Sequence, residues 1–275
     1  MLQRGNILSN IPPVSKNLLL LNIVFFLGTV TFQQTFQMDL THFLGLYYIE
    51  SEYFKPYQYI SYMFMHGGIG HLFFNMFALW MFGRILEGMW GGKRFFIFYM
   101  VTGIGAALIH TLINWWNVES VREAAVAFLD SPSPEHFSRF LKGNLNYPSQ
   151  YVKDLKDNWI MQSDNTFYAQ QAIDVVRRVA SGAANLPPTI GASGAVFGLL
   201  LAFGMIFPNE KLMLLFPPIP MKAKYFVIIY GIIELFAGVA GFSGDNIAHF
   251  AHLGGMIFGF VLLKIWGIKP YQGFM

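Results

Sequence analysis

A single hydroxyl in a run of small residues is the first place in this chain where chemistry could reside. Ser193 stands in Gly191-Ala192-Ser193-Gly194, and no charged residue lies between Arg178 and Glu210. Glycine tolerates backbone angles that other residues avoid, so the serine can sit at a tight turn into a helix. Small-residue contacts between membrane helices produce the same letters. The serine therefore needs a base before it can be read as a nucleophile, and His252 offers one. It lies in Ala251-His252-Leu253-Gly254-Gly255, followed on the same helical face by Gly255 and Gly259. That glycine stripe admits a second helix at short range, and Gly194, Ala195 and Gly198 offer the matching surface. A histidine brought to an alcohol in this way can take its proton, since its unperturbed pKa lies near working pH. The alternative is a histidine that only bridges two helices by a hydrogen bond.

A second polar group lies in His66-Gly67-Gly68-Ile69-Gly70-His71-Leu72-Phe73-Phe74-Asn75. His71 and Asn75 are four residues apart and face the same way on a helix. Two polar side chains among Leu72, Phe73, Phe74 and Met76 are costly to bury unless something uses them. Donors aimed at a developing oxyanion are such a use, and the Ser193 amide could add another. A zinc ion held by His66, His71, His249 and His252 is the rival reading. No carboxylate is placed in the sequence to fix the ring tautomers of such a site. Neither a metal nor any other cofactor is expected.

These side chains need a scaffold, and composition says which kind. The 275 residues are 55% hydrophobic and only 12% charged, where soluble domains carry about 25% charged residues. Cysteine is absent, which removes disulfides and cysteine–zinc sites from consideration. Bilayer-spanning helices need about 20 mostly apolar residues. Six stretches qualify: Leu18 to Phe36, Ile69 to Met89, Phe95 to Trp116, Ala192 to Phe207, Ala223 to Phe242 and Ile247 to Trp266. The fourth is short, so a helix starting at Ser193 would begin below one membrane surface. The first carries no small-residue cleavage pattern after it and reads as an anchor that stays.

With the N-terminus in the cytoplasm, the inner segments hold Arg4, Lys16, Arg84, Lys93, Arg94, Lys211, Lys222, Lys224, Lys264 and Lys269 against Glu87 and Glu210. The short outer loops hold Lys55 against Asp39, Glu50, Glu52 and Asp245. This positive-inside asymmetry puts Ser193 on the extracytoplasmic side. The outer loop 31–65 is rich in aromatics suited to the lipid–water interface. Residues 117–186 form a polar outer insertion with helical stretches at Ser120 to Leu129 and Phe167 to Ala180, broken by Pro132, Pro134 and Pro148. It reads as a solvated insertion, or else as a cap or a surface for a partner.

Four motifs in this order resemble those of the rhomboid intramembrane serine proteases. They are Gly191-Ala-Ser193-Gly194, Ala251-His252-Leu-Gly-Gly255, His66 through His71 to Asn75, and Gly83-x(3)-Glu87-x(3)-Gly91. The resemblance covers the chain except most of residues 1–16 and 117–186. It implies an all-α polytopic membrane protein with a six-transmembrane-helix rhomboid-like bundle, a single membrane domain over 1–275 with 117–186 inserted in it. It further implies a Ser193–His252 dyad that cuts membrane-protein substrates in or next to their transmembrane segments. Ser193 would attack the carbonyl, His252 would act as base and then acid, and His71, Asn75 and the Ser193 amide would hold the oxyanion. His66 would support the site and its water, Gly191, Gly255 and Gly259 would shape it, and Gly83, Glu87 and Gly91 would be structural. Helix 5 and the loop Gly241 to Asn246 would form a gate and lid. The implied partners are membrane lipid and substrates whose transmembrane helices unwind easily, with no nucleic acid. The expected location is a multi-pass position in a bacterial-type inner membrane.

The chain departs from the family pattern in places. Lys55-Pro56-Tyr57-Gln58 replaces a Trp-Arg pair common in the first outer loop. Phe197 stands where relatives often carry a tyrosine stacked on the catalytic ring. Glu234, midway along the fifth stretch, belongs to none of the motifs, and no catalytic role is assigned to it. Such a carboxyl is protonated, paired or facing water. A silent scaffold that binds transmembrane helices is the alternative function. A proton-relaying transporter would show paired repeats and broken helices, which are not found in the sequence.

Overall fold

The computed structural model describes residues 11–145, 148–213, 219–240 and 248–271. The helices are α1 (Pro13–Phe36), α2 (Leu40–Leu44), α3 (Gln58–Ser61), α4 (Ile69–Trp90), α5 (Gly92–Asp130), α6 (Pro134–Asn144), α7 (Gln150–Met161), α8 (Thr166–Gly182), α9 (Ser193–Ile206), α10 (Ala223–Ala240) and α11 (His249–Ile265). A short hairpin, β1 (Lys211–Met213) against β2 (Pro220–Lys222), joins α9 to α10. Among the described residues four helices, α1, α4, α5 and α10, are long and apolar enough to cross a bilayer, while α9 and α11 are apolar but shorter. The regular structure of the described residues is all-α apart from the hairpin, and the several long apolar helices make the chain an integral, multi-pass membrane protein.

The chain folds as two compact units, with Met1–Ile49, Tyr53–Thr111 and Pro188–Met275 in the first and Glu50–Glu52 and Leu112–Pro187 in the second. In the first unit α9 packs against α4, α10 and α11. Its burial explains its composition. Ten of its fourteen residues are buried, so apolar or small side chains are needed all round. At 1.5 Å per residue it is about 21 Å long, short of the roughly 30 Å hydrocarbon thickness. By contrast α1 and α10 expose Val24, Leu27, Ile232, Phe236 and Val239. Apolar surface of this extent belongs in lipid.

The C-terminal end of α4 holds the start of α1. A helix leaves its first N–H groups without intrahelical partners, and α1 has no side-chain cap of its own. Glu87, buried on α4, supplies the acceptor: its carboxylate takes the Val14 amide at 2.9 Å and the Ser15 amide at 2.6 Å. Gly83 sits one turn earlier, where a Cβ would lie 2.9 Å from Ser15 Oγ and 3.2 Å from Phe95 Cζ. Gly91 ends the helix with φ 75°, a left-handed value that favours glycine. Glu87→Ala leaves the buried Ser15 amide and the half-buried Val14 amide without this acceptor and is expected to lower stability by about 1–3 kcal/mol. Thermal unfolding in detergent tests this, and Glu87→Gln, which keeps an acceptor oxygen, should lose less.

The first loop is held by side chains, not by lipid alone. Gln58 is buried and accepts from the Tyr47 and Lys55 amides while donating to the Phe43 and Tyr53 carbonyls. Tyr47 and Tyr48 are buried inside the unit, whereas Phe43, Tyr53 and Tyr57 are exposed. Only part of the aromatic content is therefore available to the lipid–water interface. Leu46 and Thr189 exchange backbone hydrogen bonds at 2.9 and 2.8 Å, fixing the segment that leads to Ser193.

The second unit is a helical cluster with its own core: Phe128, Phe137, Phe140, Leu141, Leu155, Trp159 and Val176 are buried together. Ser120 to Leu129 is helical, as its sequence predicts. Helix α5 is continuous from Gly92 to Asp130, so Ser120 to Leu129 is its extension and not a separate helix. Polarity rises after Trp116, but no glycine or proline interrupts the chain before Pro132, and polar residues do not break a helix. The prolines also start helices as well as breaking the chain. Pro134 takes the first position of α6, where its missing N–H costs nothing, behind a Ser133 cap. Ser149, just after Pro148, caps α7.

Candidate active site

The approach of α9 to α11 is set by glycines. A Cβ on Gly255 would lie 1.9 Å from the Gly194 carbonyl oxygen, and one on Gly259 would lie 3.4 Å from Gly198 Cα. A Cβ on Gly194 would meet Ala106 Cβ at 2.4 Å, and one on Gly198 would meet Thr102 Cβ at 2.7 Å. Backbones this close bring the first turn of α9 against the first turn of α11.

Ser193 and His252 meet there. Ser193 is the first residue of α9, and its Oγ lies 2.8 Å from His252 Nε2. His252 is buried, and Phe197, one turn after Ser193, stacks on its ring at 4.2 Å between centroids with planes 6° apart. The phenyl ring holds the imidazole face without a hydroxyl. The other ring nitrogen, Nδ1, lies 2.9 Å from Glu234 Oε2, and the same carboxylate oxygen lies 2.6 Å from His249 Nδ1.

Gly191 precedes the serine with φ 126°, in the region that favours glycine. Its amide donates to the Tyr62 carbonyl at 2.9 Å. A Cβ there would lie 2.8 Å from His71 Nε2 and 3.5 Å from Ser193 Oγ, so the ring of His71 and the hydroxyl border one small space. The Gly67 amide reaches His71 Nδ1 at 3.5 Å. That long contact favours a proton on Nε2, the nitrogen on the Gly191 side. Asn75 is buried one turn further along α4, and its Nδ2 donates to the His71 carbonyl at 2.9 Å. This bond lies within α4 and uses one of the two Nδ2 hydrogens.

His66 packs edge-on to His71 at 5.0 Å between ring centroids. It is buried, and neither ring nitrogen has a hydrogen-bond partner among the described residues. Burial, reinforced by His71, pushes its pKa down from 6.5 to about 4. The unfolded chain then binds more protons than the folded one between those values. Stability from this group is complete above pH 6.5 and is lost as pH falls toward 4. Unfolding temperatures are expected to drop across that window in wild type, and to drop less in His66→Gln.

On the sequence alone Glu234 has no catalytic role, and His249 enters only as a possible zinc ligand. Their signal was present only as a carboxyl in an apolar stretch and a histidine three residues before His252. Among the described residues, Glu234, His249 and His252 form the group whose donor atoms, within 4.8 Å of one another, could hold a metal ion. This grouping differs from the four-histidine set considered above, since neither His66 nor His71 is in it. The loop Gly241 to Asn246, expected to act as a lid, lies outside the described residues.

The fold and site thus define a class: a multi-pass helical membrane protein with a serine–imidazole contact between two glycine-packed helices. Residues 53–118 and 166–268 match the rhomboid domain, and the chain belongs to the rhomboid family. It is 25% identical over 196 residues to Rhomboid protein 1, mitochondrial, of Saccharomyces cerevisiae, covering 71% of this chain and 38% of the yeast protein. It is 33% identical over 72 residues to Rhomboid-like protein 11, chloroplastic, of Arabidopsis thaliana, covering 26% of each. The chain spans well under half the length of these relatives. Residues 119–165, most of the second unit, fall between the two matched segments.

Proposed function

We propose that this protein is an intramembrane serine endopeptidase with a six-span bundle formed by α1, α4, α5, α9, α10 and α11. Residues 117–186 are an insertion on the extracytoplasmic side, and the placement of lysine and arginine supports that orientation. The observation that carries the reading is the 2.8 Å contact of Ser193 Oγ with His252 Nε2 at the start of a helix too short to span the bilayer.

In this mechanism Ser193 Oγ attacks the scissile carbonyl and its proton passes to His252 Nε2. The negative charge on the carbonyl oxygen is met by His71 Nε2–H, the free Nδ2 hydrogen of Asn75 and the Ser193 amide. His252 then returns the proton to the leaving amine. Water, activated by the same ring, releases the acyl group and regenerates Ser193. His66 supports this pocket, and Gly83, Glu87 and Gly91 hold its inner scaffold. Substrates are membrane proteins whose transmembrane helices unwind easily, because a peptide bond in an intact helix is shielded by its own hydrogen bonds and side chains. Surrounding lipid is the other partner, and α10 serves as the lateral gate.

The test is cleavage of single-span reporter proteins by the purified protein in liposomes, with product ends read by mass spectrometry. The expected result is a cut in or next to the span that is unaffected by a chelator. Loss of cleavage on chelation would overturn the serine mechanism in favour of a metal at Glu234, His249 and His252. No cleavage of any reporter would favour the helix-binding scaffold.

A further inference from the structure

We infer that Glu234 is a positioning residue that completes a serine–histidine–carboxylate relay, a role that rests on the protease reading above. The inventory of donors and acceptors leads there. A carboxylate has only acceptors, and Glu234 Oε2 faces Nδ1 of both His252 and His249. An ionised Glu234 with a proton on each Nδ1 satisfies both contacts. A neutral His252 with its proton on Nδ1 has a lone pair on Nε2. That nitrogen must therefore accept the Ser193 hydroxyl hydrogen, as a general base does.

The relay balances. When Ser193 Oγ bonds to the scissile carbon, its proton moves to Nε2, and the ring becomes an imidazolium that keeps its Nδ1–H on Glu234. One positive and one negative charge then face each other in a buried site, where the carboxylate stabilises the cation most at the moment it forms. On collapse the Nε2 proton leaves with the amine, and the neutral tautomer returns. Glu234 itself neither gains nor loses a proton. His249 contributes a second N–H to the same oxygen, which keeps the carboxylate from rotating away and being solvated.

The placement on α10 matters as well. Glu234 is buried on a helix whose neighbouring residues Ile232, Ile233, Leu235 and Phe236 are exposed. It is joined to α11 through both histidines. A purely structural clamp would serve as well with an uncharged amide. The relay would not, because an amide can present its NH2 to Nδ1 and favour the wrong tautomer.

The experiment compares wild type, Glu234→Gln and Ser193→Ala on one transmembrane reporter, and reads His252 by ¹⁵N NMR of histidine-labelled wild type, with His252→Asn used for assignment. The expected result for Glu234→Gln is a kcat between roughly 10- and 10⁴-fold lower, with KM within about twofold and an unchanged melting temperature. The NMR of wild type at neutral pH should show His252 protonated at Nδ1 and not at Nε2. Wild-type kcat in Glu234→Gln, or a His252 Nδ1 without its proton in wild type, would overturn the inference while leaving the protease reading intact. If Glu234→Gln does not fold, the wild-type NMR decides alone. Cleavage by Ser193→Ala equal to wild type would instead overturn the protease reading itself, and the relay with it.

Discussion

Ser193→Ala is expected to lower cleavage of a transmembrane reporter by roughly 10³-fold or more, with no change in expression or melting temperature. The hydroxyl contributes almost nothing to packing, so its removal should leave the α9–α11 contact intact. His252→Ala should cost a similar factor in rate, although it also empties the face on which Phe197 stacks. Its stability should therefore fall somewhat while that of Ser193→Ala does not. The double variant is the more telling measurement. Groups that act as one unit are grossly non-additive, so Ser193→Ala/His252→Ala should be no slower than the slower single variant. Additive losses would mean that the two side chains work independently. Kinetics on reconstituted protein, with product quantified over days if needed, separates the outcomes.

The second large effect concerns helix packing. Gly255→Ala is expected to cost both stability and most of the activity, because its Cβ would lie 1.9 Å from the Gly194 carbonyl oxygen and 2.7 Å from its carbon. These are backbone atoms, and they cannot rotate aside. The helices must separate, and overpacking of this kind costs roughly 1–3 kcal/mol or more. Separation also draws Nε2 away from Oγ, and a misplacement of about 1 Å can cost on the order of 10²-fold in rate. A graded series supplies the controls. Gly259→Ala, whose Cβ would meet Phe98 Cζ at 3.2 Å and Gly198 at 3.4 Å, should have a milder effect. Gly28→Ala on α1, with nothing within 4 Å, should change neither property. Melting temperature and kcat/KM across the three variants check the ranking. Equal effects at Gly255 and Gly28 would contradict the account of the stripe.

The stripe was legible in the sequence because glycines at helical spacing after a histidine have few other uses in a membrane segment. The polar cluster on α4 was legible for a related reason, since polar groups in an apolar setting are costly and invite explanation. Glu87 was legible only through the family motif. Its actual partners are two backbone amides of α1, and backbone groups leave no letter in the sequence to search for. Glu234 was harder still. Its partners lie fifteen and eighteen residues away on another helix, and the intervening sequence carries no periodicity that would bring them together. Once His249 and Glu234 are seen on facing helices, the pairing of an intramembrane carboxyl with an imidazole is the ordinary solution.

The second unit illustrates the limit of hydropathy as a guide to helix ends. The apolar stretch ends near Trp116, and the helix does not. Hydropathy reports the solvent around a helix, whereas its termination needs a residue that removes a donor or frees the backbone, here Ser131-Pro132. Helices α6 and α7 were likewise hidden behind Pro134 and Pro148, which stand at helix starts beside the capping Ser133 and Ser149. Their amphipathic faces meet over Phe137, Leu155 and Trp159, which gives the unit a core independent of any lipid.

The most direct measurement of the central claim is the site of covalent labelling by a serine-reactive fluorophosphonate on the purified wild-type protein, located by peptide mass spectrometry. The account predicts one adduct, on Ser193, that is absent in Ser193→Ala and strongly slowed in His252→Ala. An adduct elsewhere, or equal labelling of wild type and His252→Ala, would contradict it.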